Sequence, residues 1–277
     1  MNHKAFTISS LILLIIIIPI VTLYNYYTIT LPTNTTIRFA LKPIPVSLMV
    51  LNIFIYFRIY RMHIYAMLVS GGLLFCLLGD ILLMFYIPTL IPVIPEYNNI
   101  IFLIVGGISF FIGRGIMTLA FSVYPYRGSE VRHLKYGPAK LILSMLISFS
   151  YTTWLFIYFI LNMSGSIVMK ALVPIYFIMM GLQLFMSLMR TRGFDDETLR
   201  SQIFSVLGTA LFNISDTLLF WDIFMSPIKY GSNISITLYW VGMFLISVSV
   251  VRGKNYETET LGSVSYLPLS NADQRYF

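Results

Sequence analysis

Apolar residues run through this chain in long blocks, separated by short segments that carry nearly all of its charge. The blocks lie near residues 7–27, 41–58, 65–86, 100–123, 140–161, 167–189, 203–225 and 234–251. Most hold about 20 residues, the length at which a helix crosses a hydrocarbon layer of about 30 Å. The pattern predicts an all-α, polytopic membrane protein with eight transmembrane helices. The second block is short and opens with Lys42-Pro43 and Pro45, so the pattern does not fix its first helical residue.

Composition agrees. Charged residues make up 10% of the chain and hydrophobic residues 58%, where a soluble domain carries about a quarter charged residues. One cysteine, Cys76, excludes an intramolecular disulfide framework and a Cys-rich metal site. His3, His63 and His133 lie outside the apolar blocks, which argues against a zinc site or a serine triad inside the membrane. No P-loop or zinc motif is present, and no cofactor is expected. The formal net charge is +7, and its distribution speaks for topology rather than for nucleic acid.

Eight spans place both termini on one side. The amino end, the segments after spans two, four and six, and the tail hold 13 of the 18 Lys and Arg residues. The opposite segments hold Arg38, Lys42, Lys170 and Lys229, and Arg114 lies inside span four. By the positive-inside rule both ends are expected in the cytoplasm. The first block reads as a retained span rather than a cleaved signal peptide, because it lacks a small-x-small cleavage site and more spans follow. Asn-x-Ser/Thr sequons at Asn34, Asn162 and Asn233 all fall on the non-cytoplasmic side of this layout. An endomembrane such as the endoplasmic reticulum is the expected location. The organisation expected is one transmembrane domain over residues 1–252 and a flexible cytoplasmic tail over 253–277.

Two of the blocks repeat one element. "GGLLFCLLGDILLMF" from Gly71 carries Asp80, and "GTALFNISDTLLFW" from Gly208 carries Asp216. Aligned without gaps, Gly72 falls on Gly208, Gly79 on Ser215 and Asp80 on Asp216. Both spans run the same way, four helices apart, and the carboxylates differ in depth by only about 3 Å at 1.5 Å per residue. That suggests two four-helix halves in a parallel repeat. Gly72, Cys76 and Gly79 form a small-residue stripe along which a neighbouring helix can approach. Asn213, one turn before Asp216, can hydrogen-bond that carboxylate or a bound water.

A carboxylate at bilayer depth costs at least about 3 kcal/mol, so it faces protein or a wet cavity. A purely structural, helix-tying role is the plain alternative, but two carboxylates at one depth favour a shared functional cavity. Arg114, between Gly113 and Gly115, is either a counter-ion to one Asp or a fork that binds substrate oxygens. Asp222 reads as interfacial. Most Phe, Tyr and Met residues read as packing and lipid-facing, with a minority available to line an acyl-chain tunnel.

"LLGDILLMF", "FNISDTLLFW" and "LKPIPV" (Leu41 to Val46), in their order along eight spans, resemble the lysoplasmalogenase, or YhhN-like, membrane proteins. Where that family carries a His followed three residues later by Tyr in the fourth span, this chain has Arg114 and Met117. Where the family carries a Gln after an aromatic pair in the last span, Met243 follows Tyr239-Trp240.

The resemblance implies hydrolysis of the vinyl-ether bond of a lysophospholipid substrate, a lysoplasmalogen. The products would be a fatty aldehyde and glycerophosphoethanolamine or glycerophosphocholine. Asp80 and Asp216 would be the catalytic pair, with Lys42, Arg114 and Asn213 binding substrate. The chemistry suits two buried carboxyl groups: one must be protonated near neutral pH, which burial favours, and an ionised one can stabilise a cation and activate water. The expected partners are the bilayer and its lysolipids, not nucleic acid. Two other classes use the same residues. One is a proton-coupled transporter with Arg114 as the switchable partner of the Asp pair; the other is a non-catalytic lipid-binding relative.

Overall fold

A computed structural model of the chain describes residues 3–30, 37, 40–59, 64–85, 96–123, 138–163, 167–190 and 196–250. The tail from residue 253, Arg38 and the Asn34 sequon lie outside the described residues. Among the described residues there are eight helices and no strand. They are α1 (His3–Thr30), α2 (Ile44–Ile59), α3 (Ile64–Met84), α4 (Glu96–Val123), α5 (Pro138–Asn162), α6 (Ile167–Met189), α7 (Asp196–Phe224) and α8 (Gly231–Ser249). Seven are long and apolar enough to cross a membrane; the apolar part of α2, Ile44–Phe57, is shorter. The protein is therefore a polytopic helical membrane protein, as its apolar blocks predict.

The start of α2 explains why its block is short. The Pro43 carbonyl accepts the Ser47 amide at 3.0 Å, opening the helix just after Lys42-Pro43. Pro45 falls in the first turn, where a missing N–H costs nothing. Lys42 is thus placed two residues ahead of α2, with its side chain 19% exposed.

The two most extensive helix contacts are α3 with α4 and α7 with α8. Each is built on a pair of glycines that let two backbones touch. A Cβ on Gly72 would lie 2.9 Å from the Gly113 carbonyl oxygen, and one on Gly113 would lie 2.8 Å from that of Gly72. A Cβ on Gly208 would lie 2.7 Å from the Gly242 oxygen, and one on Gly242 2.8 Å from that of Gly208. Asp80 follows Gly72, and Asp216 follows Gly208, by the same eight residues (72 to 80, 208 to 216).

The remaining packing repeats the relation. α2 rests on α3 and reaches across to α8, as α6 rests on α7 and reaches across to α4. Two parallel four-helix halves thus face one another, one carboxylate in each. In this register Arg114 and Met243 are equivalent, each immediately after its crossing glycine.

Away from Lys42, the other end of the bundle is tied by a buried cation. Arg190, at the end of α6, donates to the Tyr65 hydroxyl and, at 3.0 Å, to Ser201 Oγ. Its guanidinium lies 4.0 Å from the Tyr65 ring centroid. Outward-facing residues of α1 and α5, such as Ile15, Phe149 and Leu161, are apolar and exposed. They form the surface that hydrocarbon covers.

Candidate functional site

Asp80 and Asp216 are 1% and 5% exposed, and both line one cavity of about 360 Å³ that Lys42 also lines. They come together because α3 and α7 each turn the face after their crossing glycine inward. Their immediate partners differ. The Tyr239 hydroxyl, on α8, donates to Asp80 Oδ2 at 2.7 Å, and Lys42 Nζ stands 3.4 Å from Asp80 Oδ1. Asp216 Oδ2 accepts Arg114 Nη2 at 2.7 Å, Arg114 Nε at 3.2 Å and the Tyr176 hydroxyl at 2.5 Å. Each carboxylate thus takes one donor from the second helix region of its own half and one from the last helix of the other half.

Arg114 is wholly buried, and all three of its nitrogens donate. Besides Asp216, Nη1 reaches Gln183 Oε1 at 2.5 Å and Asn213 Oδ1 at 2.7 Å, and Nε reaches the Tyr176 hydroxyl at 3.0 Å. Its guanidinium carbon lies 3.6 Å from the Phe212 ring centroid, a close cation–π contact. Arg114 is not among the residues that line the cavity. Of the two roles open to it, this arrangement favours the counter-ion.

Asn213 also stands behind the cavity wall. Its carbonyl is taken by Arg114 and its amide donates to the Met180 carbonyl at 3.2 Å. The expected hydrogen bond to Asp216 is therefore replaced by a link through Arg114, because the guanidinium fills the space between the two side chains.

The sequence pointed to neither tyrosine as a partner of a carboxylate, and Tyr239 stood out only as half of the Tyr239-Trp240 pair. Tyr176 and Tyr239 are ordinary members of a Tyr-rich chain until the fold sets their hydroxyls on the two carboxylates. Gln183 carried a fainter signal, as the single carboxamide within α6. Ser215 and Ser235, both lining the cavity, fasten α7 to α8 beside Asp216. Each hydroxyl donates to the other residue's carbonyl at 2.8 Å. Asp222, read as interfacial, accepts the Ile228 amide at 2.9 Å and closes the turn before α8.

Most of the remaining lining is apolar, with Tyr24 and Ser232 as its further polar members. Phe110, Phe111, Leu219, Phe220 and Ile223 lead away from the carboxylates. Among the described residues no three His, Cys, Asp or Glu side chains gather as a metal site requires. The site can hold a molecule with a polar end against Lys42 and the carboxylates and a hydrocarbon part among the aromatic rings.

Comparison with known proteins gives one match. The YhhN family model covers residues 37–250, from just before α2 to the end of α8. No curated protein and no solved structure matches the chain.

Proposed function

Since this chain belongs to the YhhN family, we propose that it hydrolyses the vinyl-ether bond of lysoplasmalogens inside the membrane, with Asp80 and Asp216 as the acid–base pair. The observation that carries this reading is the pairing of two buried carboxylates, differently held, on one amphipathic cavity.

The two carboxylates take different parts. Asp216 accepts only from donors, two of them on a permanent cation, so it stays the carboxylate. Asp80 has one hydroxyl donor and, at 3.4 Å, a flexible lysine that can turn to a substrate phosphate. Asp80 therefore carries the proton. It passes that proton to the outer carbon of the vinyl ether, leaving an oxocarbenium ion next to the ether oxygen.

Asp216 lies against this cation and takes a proton from the water that adds to it. The resulting hemiacetal breaks its bond to the glycerol oxygen. That oxygen takes the proton held by Asp216, and the hemiacetal hydroxyl gives its own to Asp80 as it becomes the aldehyde carbonyl, which restores both carboxyl groups. Arg114, behind the cavity wall, and Tyr176, which lines it, hold Asp216 in place.

The test is product formation. Purified protein in detergent should release free aldehyde from a lysoplasmalogen and none from the saturated-ether analogue, which cannot form the oxocarbenium ion by protonation. Hydrolysis proceeds in micelles, whereas a proton-coupled transporter needs a sealed vesicle. No aldehyde from a well-folded preparation would sink the hydrolase reading.

A further inference from the structure

Gly107 stands apart from its neighbouring glycines. On the same helix, a Cβ at Gly106 would lie 3.0 Å from Leu83, and one at Gly113 2.8 Å from the Gly72 carbonyl oxygen. Both are small because a neighbour is close. A Cβ at Gly107 would meet no atom within 4 Å. Glycine in a helix interior weakens the helix relative to alanine, and packing gives no reason for it here. The space it faces is the cavity, which it lines.

That stretch of the cavity wall is lined by residues of α4 and α6 that are also exposed on the outside of the bundle. α4 and α6 touch toward the carboxy-terminal part of α4, where Thr118 Oγ1 lies 4.0 Å from Met179 Sδ and a Cβ on Gly115 would lie 3.8 Å from Met179. About 12 Å along α4 from Gly115, at 1.5 Å per residue, Gly107 and Ile108 border the cavity instead. Leu172 and Ile175 border it from α6. Ile108, Leu172 and Ile175 are 48%, 39% and 51% exposed, so they face both the cavity and the lipid. All of these residues lie within the stretches of α4 and α6 that are long and apolar enough to cross a membrane.

We infer that the gap between α4 and α6 is a lateral portal through which one alkyl chain of a lysolipid lies. Gly107 is the residue that sets the length of chain the cavity accepts. The occupant is a single-chain amphiphile with a phosphate in its head. Its phosphate meets Lys42 at the polar end, and its chain runs from the carboxylates past Gly107 toward the bilayer. This assignment rests on the reading of the cavity as a lysolipid site, but it concerns binding and not the chemistry.

The test separates the two. Dissociation constants of the full chain in detergent are measured for octyl-ether and hexadecyl-ether lysophosphocholine, which bind but cannot be cleaved. Gly107→Leu and Gly107→Phe should weaken the hexadecyl ether in that order, by about tenfold or more for Phe. The octyl ether should bind them as it binds the unmodified protein. Ile112→Phe, on the lipid-facing side of the same helix and 39% exposed, should change neither.

Melting curves identify any variant that fails to fold, and Gly107→Leu decides if Gly107→Phe does. A folded Gly107 variant that binds the long ether as tightly as the unmodified protein would overturn the portal. So would an equal loss in Ile112→Phe. If the unmodified protein binds both ethers, and Gly107→Phe only the short one, the portal stands even where no aldehyde is released.

Discussion

Arg114 Nη2 and Asp216 Oδ2 stand 2.7 Å apart in the middle of the bundle, with side-chain exposures of 0% and 7%. Two helices from opposite halves are joined there, α4 by its only deep cation and α7 by its carboxylate. Removing one partner of such a pair leaves the other charged and unpaired, which costs about 3–5 kcal/mol. Arg114→Met should therefore lower the melting temperature markedly. Adding Asp216→Asn to it should restore a large part of the loss, since no lone charge then remains. Unchanged melting of the single variant would show that Arg114 is not a structural counter-ion, and substrate binding would become its better description.

The crossing glycines make a second prediction. A Cβ on Gly208 would lie 2.7 Å from the Gly242 carbonyl oxygen and 3.0 Å from the Ile246 amide nitrogen, both backbone atoms that cannot turn aside. Gly208→Ala should force α7 and α8 apart and cost about 1–3 kcal/mol, the usual range for overpacking. Gly107→Ala, with open space in place of backbone, should melt no lower than the unmodified protein. Thermal melting of the two purified variants side by side checks both halves of this statement.

The third concerns orientation. Lys and Arg gather beyond the ends of α2, α4 and α6 and in the tail, so a reporter fused after Phe277 should report the cytoplasm. One inserted near Asn98 should report the opposite side. The carboxylates and Lys42 would then open away from the cytoplasm, because Lys42 and Leu83 line the same cavity. Two reporters on one side would contradict the eight-span layout.

These features were legible to different degrees. The spans stood out because a helix in hydrocarbon must be apolar on all sides for about 20 residues, a signal that short-range packing does not erase. Asp80 and Asp216 stood out for the converse reason: a charge in such a block is costly enough to mean something. Tyr176 and Tyr239 were hidden among 19 tyrosines. A phenol is tolerated at many depths, and only the fold selects the two that meet a carboxylate.

The role of Arg114 was open in the sequence between counter-ion and substrate fork. What separates them is its distance to Asp216 and to Gln183, side chains 102 and 69 residues away. Gly242 went unremarked because the visible repeat covered only α3 and α7. The partner glycine on α8 emerges once the two crossings are laid side by side.

The most direct test of the account is the rate of aldehyde release by Asp80→Asn and Asp216→Asn beside the unmodified protein. Asparagine keeps the size of the side chain and can still accept from Tyr239 or Tyr176, but it cannot transfer a proton. Each variant should remain folded and membrane-inserted, with Asp216→Asn the less stable because Arg114 loses its counter-charge. Each should lower turnover of lysoplasmalogen by about 100-fold or more, as the loss of a general acid or base does. The double variant should be little slower than either single one, because the two groups act as a unit. Turnover equal to that of the unmodified protein in a well-folded Asp80→Asn or Asp216→Asn preparation would contradict the account, and remove that carboxylate from the chemistry.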